Sequence, residues 1–257
     1  NRIAAGGAVF IIVLIAICRI KQKTYVMPAV RAFNNFIKGV HQPSFYLGFL
    51  IGATCYGIFL DQENIFKNNE ALGLIGATAV AFMMGLADDA YNTRPWLKFF
   101  AQAACGGILI ISGNYIAIFD AEWLNYTVTM LWVIGMMNSI NMLDNMDAIT
   151  SIVSIFIIVT CLVVLMLNQS YTDHHFILML GVLGSLIGFI FYNWNPSKMF
   201  MGDTGSQFLG IFLAAISIKY LWNHTPVLVE TSTQQQICMV LTTFALPLSD
   251  TTTVVIN

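Results

Sequence analysis

Long apolar runs separated by short polar clusters are the feature that most constrains this sequence. Of its 257 residues, 58% are apolar and 9% are charged, and the mean hydropathy is +0.75. Soluble domains carry roughly 25% charged residues. A hydrocarbon core about 30 Å thick is crossed by roughly 20 apolar residues in a helix. The sequence therefore predicts a single integral-membrane domain over residues 1–257.

The apolar runs predict about nine transmembrane helices. Because open strands would leave backbone groups unpaired in lipid, we expect an all-α, polytopic helical bundle. The predicted spans lie near residues 3–20, 44–60, 71–87, 97–112, 126–143, 150–167, 176–193, 205–222 and 237–255.

The basic residues are distributed unequally between the two sets of loops, with eight in one set and three in the other. Cytoplasmic loops carry the excess of Lys and Arg, so the first set is predicted to face the cytoplasm. We expect a protein of a bacterial inner or plasma membrane, with the lipid bilayer as a partner. A net charge of −2 argues against a nucleic-acid partner. The eight residues are Arg19, Lys21, Lys23, Arg31, Lys38, Arg94, Lys98 and Lys198.

Aspartates gather at the predicted cytoplasmic helix ends, where an ionisable group is by default a functional-site hypothesis. The adjacent Asp88 and Asp89 close the segment GLADD at residues 85–89. Two such carboxylates repel each other and favour a nearby cation, either Mg²⁺ or Lys98 at the start of the next helix.

A run of amides and carboxylates, NSINMLDNMD, occupies residues 138–147. Asn138, Asn141 and Asp144 recur every three residues and share one helix face, since each step falls about 60° short of a full turn. By Asp147 the drift reaches about half a turn. Convergence of all four side chains therefore requires the helix to break near Asp144.

The third cluster, NWNPSKMFMGDTGS, covers residues 193–206. Small and hydroxyl residues around Asp203 predict a helix N-terminus, where free N–H groups and the helix dipole attract phosphate. Oxygen ligands with no His or Cys nearby favour Mg²⁺ or Mn²⁺ over zinc. A phosphate and metal site is therefore predicted here.

Together, GLADD with Lys98, NSINMLDNMD and NPSKMFMGDTGS resemble the polyprenyl-phosphate N-acetylhexosamine-1-phosphate transferase family over nearly the whole chain. The resemblance implies a helical membrane enzyme that, with Mg²⁺, transfers a sugar-1-phosphate from a UDP-sugar to a polyprenyl phosphate at the cytoplasmic face. It implies catalytic roles for Asp88, Asp89 and Lys98, with Asp88 as a base or nucleophile and Lys98 as a phosphate-binding group.

The resemblance also assigns binding residues. Asn141 and Asp203 match the side chains that hold the metal. Asp147 matches a uracil-contacting position, and Phe200 matches the aromatic residue that stacks on uracil. Asn138 and Asp144 are expected to complete the substrate-binding set, Asp144 as a polar pocket position.

Three departures from the family pattern stand out. The family usually reads DGxDG where this chain has DNMDA at residues 144–148, so both glycines are replaced. The cytoplasmic motif expected between the first two spans is reduced to residues 38–43. A loop with an HxH motif and an arginine is expected after residues 246–250, so we expect the C-terminal part to be missing and the full chain to have ten or more spans.

The sequences of the second and third motifs are most similar to those of the GlcNAc branch of the family. The resemblance therefore implies a UDP-N-acetylhexosamine donor, transfer of GlcNAc-1-phosphate and release of UMP. This reaction would initiate a lipid-linked cell-envelope glycan. The alternative is a phospho-N-acetylmuramoyl-pentapeptide transferase. Rivals of other classes are a cation-coupled transporter, which predicts acids at mid-span, and a non-catalytic homologue. A homodimer remains an open expectation.

Overall fold

The computed structural model describes residues 68–168, 174–223 and 232–256. The regular secondary structure of this part of the chain is helical, as the sequence predicts. The helices are α1 (Asn69–Tyr91), α2 (Pro95–Ile111), α3 (Glu122–Leu143), α4 (Ile149–Leu167), α5 (His174–Asn193), α6 (Gly202–Ser217) continued by the π-helical turn π1 (Ile218–Trp222), α7 (Thr233–Thr243) and α8 (Ala245–Ile256).

Six predicted spans, from 71–87 to 205–222, agree with helices α1 to α6, whose ends lie a few residues away. The predicted span at 237–255 is divided into two helices, α7 and α8, which meet at Phe244. The predicted spans 3–20 and 44–60 lie outside the described residues. The count of nine spans is therefore not confirmed.

Four of the described helical segments are long and apolar enough to cross a membrane. Helix α2 is apolar but has only 17 residues. The four segments are Asn69–Tyr91, Ile149–Leu167, His175–Asn193 and Gly202–Trp222.

Helix α6 is the centre of the described bundle and packs mainly against α1 and α3. Every residue from Thr204 to Ser217 is buried. Its close contacts depend on two glycines. A Cβ at Gly210 would lie 2.6 Å from the Met137 Cα of α3, and one at Gly85 of α1 would lie 2.5 Å from the Asp203 carbonyl oxygen. Small residues allow such close backbone approach between membrane helices.

Helix α3 ends at Leu143, and Asp144 lies outside it with φ −73° and ψ 13°. The chain turns through residues 144–148 before α4 begins. This confirms the predicted helix break near Asp144.

The contact at Gly210 makes a testable prediction. Gly210→Ala should lower the free energy of unfolding by about 1–3 kcal/mol, because the methyl group meets backbone and the helices must separate. The measurement is thermal unfolding in detergent. Gly135→Ala on α3 is the matched control, since its Cβ meets nothing within 4 Å. Equal stability of the two variants would contradict this account of the packing.

Candidate active site

Side chains from the three sequence motifs meet at one end of the bundle. Hydrogen bonds and ion pairs join the C-terminal end of α1, the first turn of α2, the end of α3 and the first turn of α6. The connection between α5 and α6 closes over the same end through Asp147 and Asn193.

Asp88 is the buried member of the aspartate pair, with 8% of its surface exposed. Its Oδ1 accepts hydrogen bonds from the Thr93 amide at 2.9 Å and the Thr93 hydroxyl at 2.6 Å. Its Oδ2 lies 2.5 Å from the Lys98 Nζ. The loop after α1 and the first turn of α2 therefore fix this carboxylate.

Lys98 also contacts Asp203, whose Oδ2 lies 2.8 Å from the ammonium group. The other oxygen of Asp203 accepts a hydrogen bond from Asn141 Nδ2 at 2.8 Å. Asn141 Nδ2 also donates to the Ser206 hydroxyl at 2.8 Å. One ammonium group thus lies between two carboxylates from different helices, with an amide beside them.

Asp89 faces a different neighbour. Its Oδ1 accepts from the Asp203 amide at 3.0 Å, and its Oδ2 accepts from the Thr204 amide at 2.9 Å and the Thr204 hydroxyl at 2.5 Å. Both oxygens are therefore bonded to the beginning of α6.

Asp144 is partly buried next to these groups. Burial, together with the nearby carboxylates of Asp203 and Asp89, raises the pKa of its carboxyl group to about 7. The Gly202 amide opposes the shift. The pKa of Asp144 thus lies near neutral pH.

Asp147 lies on the other side of the turn, where its Oδ2 accepts from Asn195 Nδ2 and from the Ser197 amide, both at 3.1 Å. Phe200, on the same α5–α6 connection, is 69% exposed. The structure thus leaves the ring of Phe200 accessible, as a stacking platform requires.

Asn138 lies one turn before Asn141 on α3. It exchanges hydrogen bonds with Gln102 of α2 at 2.9 and 3.2 Å, and Gln102 in turn donates to Gln207 of α6 at 3.2 Å. These bonds place Asn138 in a row of amides beneath the carboxylates. Its role in substrate binding stays a prediction.

Asn193 is a residue to which the sequence reasoning assigned no role. It is 4% exposed, and its Oδ1 accepts from the Ala148 amide at 2.9 Å while its Nδ2 donates to the Met199 carbonyl at 2.8 Å. Asn193 therefore ties the turn that carries Asp147 to the connection that carries Phe200. The available signal was an amide at the end of an apolar helix.

Ala148 occupies the left-handed region, with φ 65° and ψ −17°. This is the second position where the resemblance predicts glycine. A side chain with a Cβ costs about 1–2 kcal/mol there. The tight turn is kept without glycine, and the hydrogen bond to Asn193 holds it.

The donor chemistry fits a magnesium ion. In the described part of the chain, no group of three or more His, Cys, Asp or Glu side chains is placed to hold a metal. Mg²⁺ is commonly held by one or two carboxylates, retained waters and substrate phosphates. Asp203 and Asn141 offer oxygen donors of this kind. The carboxylates of Asp88 and Asp203 both contact the one ammonium group of Lys98, and Asp89 lies against the Asp203 amide, so the charge balance also favours a cation.

The chain belongs to glycosyl transferase family 4. The family model with that description matches residues 71–221, more than half of the chain, and includes all the site residues described above.

Curated relatives carry two kinds of name. A probable undecaprenyl-phosphate N-acetylglucosaminyl 1-phosphate transferase of Bacillus subtilis is 26% identical over 228 residues, covering 82% of this chain and 57% of the relative. Phospho-N-acetylmuramoyl-pentapeptide-transferases are 31% identical in Streptococcus pyogenes, over 83% of this chain and 57% of the relative, and 28% identical in Streptococcus agalactiae, over 66% and 55%. The chain thus spans little more than half the length of these relatives.

The pKa of Asp144 predicts how the stability of the metal-free protein depends on pH. An unfolded Asp has a pKa near 3.9, so between about pH 4 and about pH 7 the folded state keeps a proton that the unfolded chain releases. This group's contribution to stability therefore falls as the pH rises through that window. Relative to the parent protein, Asp144→Asn should become progressively more stable between about pH 5 and about pH 8.

The measurement is the Tm of both proteins in detergent with a chelator present. Asp120→Asn, in an exposed loop, is the control for loss of one negative charge. A Tm difference that is constant with pH for Asp144→Asn would contradict the assignment.

Proposed function

We propose that this protein transfers an N-acetylhexosamine-1-phosphate from a UDP-sugar to a polyprenyl phosphate and releases UMP. The observation that carries the proposal is the cluster of Asp88, Lys98, Asn141 and Asp203, drawn from four helices at one end of a membrane bundle. The family match over the same residues supports it.

In the proposed reaction, a phosphate oxygen of the lipid attacks the β-phosphorus of the UDP-sugar. The bond between the β-phosphorus and the bridging oxygen breaks, and UMP leaves with that oxygen. Both reactants are anionic, so the site must above all neutralise charge. Lys98 would contact the phosphates, and Asp88 would either remove the lipid phosphate's proton or attack the β-phosphorus first.

A magnesium ion held by Asp203 and Asn141 would polarise the phosphate oxygens and neutralise developing charge. The expectation that free amides at the start of α6 bind phosphate is not met, because the amides of Asp203 and Thr204 are bonded to the Asp89 carboxylate. Asp147 and Phe200 would hold the uracil, with Asp144 and Asn138 completing the pocket. The apolar surfaces between helices would accommodate the prenyl chain and keep the phosphate at the membrane surface.

We assign the site to the cytoplasmic face of a bacterial inner membrane. The support is the excess of Lys and Arg in the loops on that side, including Arg94, Lys98 and Lys198. The position of the carboxylates at helix ends favours a transferase over an ion carrier, for which acids at mid-span are expected.

N-acetylglucosamine is our preferred donor sugar, supported by the motif wording and by the name of the Bacillus subtilis relative. The names of the streptococcal relatives support the muramoyl-pentapeptide donor as the second candidate. The test incubates membranes carrying this protein with labelled UDP-N-acetylglucosamine or UDP-N-acetylmuramoyl-pentapeptide, polyprenyl phosphate and Mg²⁺. A lipid-linked product together with UMP is expected from the first donor.

Asp203→Asn should lower the transfer rate by on the order of 100-fold, because it removes the charge of a metal ligand at the reacting phosphates while keeping its shape. The Tm should stay close to that of the parent. Suppose that product forms with either donor only when the protein is present, and that Asp203→Asn does not lower the rate. The metal would then be bound elsewhere. Absence of product with both donors would favour a non-catalytic homologue.

Phe200→Ala should weaken UMP binding about 5- to 150-fold, taking roughly 1–3 kcal/mol for stacking of a base on an aromatic ring. Polyprenyl-phosphate affinity should not change. Phe200→Trp is the matched control and should retain most of the affinity. If Phe200→Ala binds UMP normally and loses only thermal stability, the ring anchors the helix end at the membrane surface and does not bind the base.

A further inference from the structure

The carboxylate of Asp89, on α1, caps the N-terminal end of another helix, α6. It accepts hydrogen bonds from the amides of Asp203 and Thr204 and from the Thr204 hydroxyl, at 3.0, 2.9 and 2.5 Å. These are the second and third residues of α6. Asp89 itself belongs to the last turn of α1.

A helix begins with amides that have no partner within the helix, and a side-chain oxygen at the N-cap usually accepts from one of them. The N-cap residue of α6 is Met201, and no side-chain hydrogen bond is made from that position. Asp89 supplies the missing acceptor from another helix. Its negative charge also lies at the positive end of the α6 dipole.

The two aspartates of the pair therefore have different partners. Consecutive residues of a helix point about 100° apart. Asp88 is directed to Thr93 and Lys98, whereas Asp89 is directed to the backbone that carries Asp203.

Gly85, one turn earlier on α1, belongs to the same contact. A Cβ at Gly85 would lie 2.5 Å from both the Asp203 carbonyl oxygen and the Thr204 Cα. The α6 backbone thus lies directly against α1 at this turn, which brings the Asp89 carboxylate within reach of the α6 amides.

We infer that Asp89 is a positioning residue, which caps α6 from α1 and thereby sets the place of Asp203 relative to Asp88 and Lys98. The inference rests on the proposed function for its catalytic consequence, but the cap itself exists in the protein without ligands. It replaces the direct catalytic role that the resemblance implies for Asp89. Asp88 keeps that role.

The test is a double-mutant cycle with Asp89→Asn and Thr204→Val. The first variant removes the carboxylate charge and one acceptor, and the second removes only the hydroxyl donor. Thr204→Ser keeps that hydroxyl and serves as the conservative variant. Asp120→Asn controls for the loss of one negative charge at an exposed loop.

Two readouts are measured for each variant in detergent. The first is amide hydrogen exchange at the beginning of α6 in the ligand-free protein. The second is kcat and KM for transfer with the labelled donor.

If Asp89 caps α6, Asp89→Asn speeds exchange of the Asp203 and Thr204 amides about tenfold, as loss of one hydrogen bond allows. It lowers kcat/KM about 10- to 100-fold, the usual effect of losing a supporting partner of an active-site ligand. Thr204→Val changes both quantities in the same direction by less, and Thr204→Ser restores them. The double variant is scarcely worse than Asp89→Asn alone, because both changes break one contact.

Two results would overturn the inference. One is unchanged exchange at the start of α6 in Asp89→Asn. The other is effects of Asp89→Asn and Thr204→Val on kcat/KM that simply multiply, which places Asp89 directly on the reactants. If the parent protein transfers no sugar-phosphate, the proposed function fails while the exchange result still decides the cap. Should Asp89→Asn not fold, the exchange difference between Thr204→Val and Thr204→Ser gives the same decision.

Discussion

The Lys98 ammonium group lies between two carboxylates that come from different helices, Asp88 of α1 and Asp203 of α6. The two carboxylates repel each other, and the ammonium group between them offsets that repulsion. Without a cation between them, one of the two carboxylates would keep a proton at the contact that Gly85 allows between α1 and α6. Charge balance at one end and close packing along the helices therefore depend on each other.

The four aspartates at this end of the bundle have different partners and different surroundings. Asp88 and Asp203 share a cation, Asp89 is bonded to the α6 backbone, and Asp144 lies in a partly buried position with a raised pKa. Asp88 and Asp89 are even adjacent in the sequence. Their roles are separated by which helix end each one faces, which is a property of packing and not of residue type.

The sequence predicts the helices from α1 to α6 well because each is an apolar run with polar ends. It misses the division at Phe244 within residues 237–255, although Pro247 lies in the first turn of α8 and has no N–H to bond to the Thr243 carbonyl. The motifs predict which residues meet, and the spacing of Asn138, Asn141 and Asp144 predicts the end of α3. Contacts between distant segments decide that Asp88 and Asp89 have different partners. They also decide that Asn193 connects the turn after α3 with the connection between α5 and α6. Local pattern carries no information about such contacts.

The burial of α6 has a consequence for how the protein enters the membrane. Among the four candidate spans, the segment Gly202–Trp222 has the lowest mean hydropathy, 1.2 against 2.8 for Ile149–Leu167. It is also the most buried, since 94% of its most apolar stretch is buried inside the protein. A segment with an aspartate in its first turn partitions poorly into lipid by itself. Its partners α1 and α3 precede it in the chain and are synthesised earlier. The order of the helices thus allows α6 to leave the translocon directly onto protein, and it need not cross lipid alone.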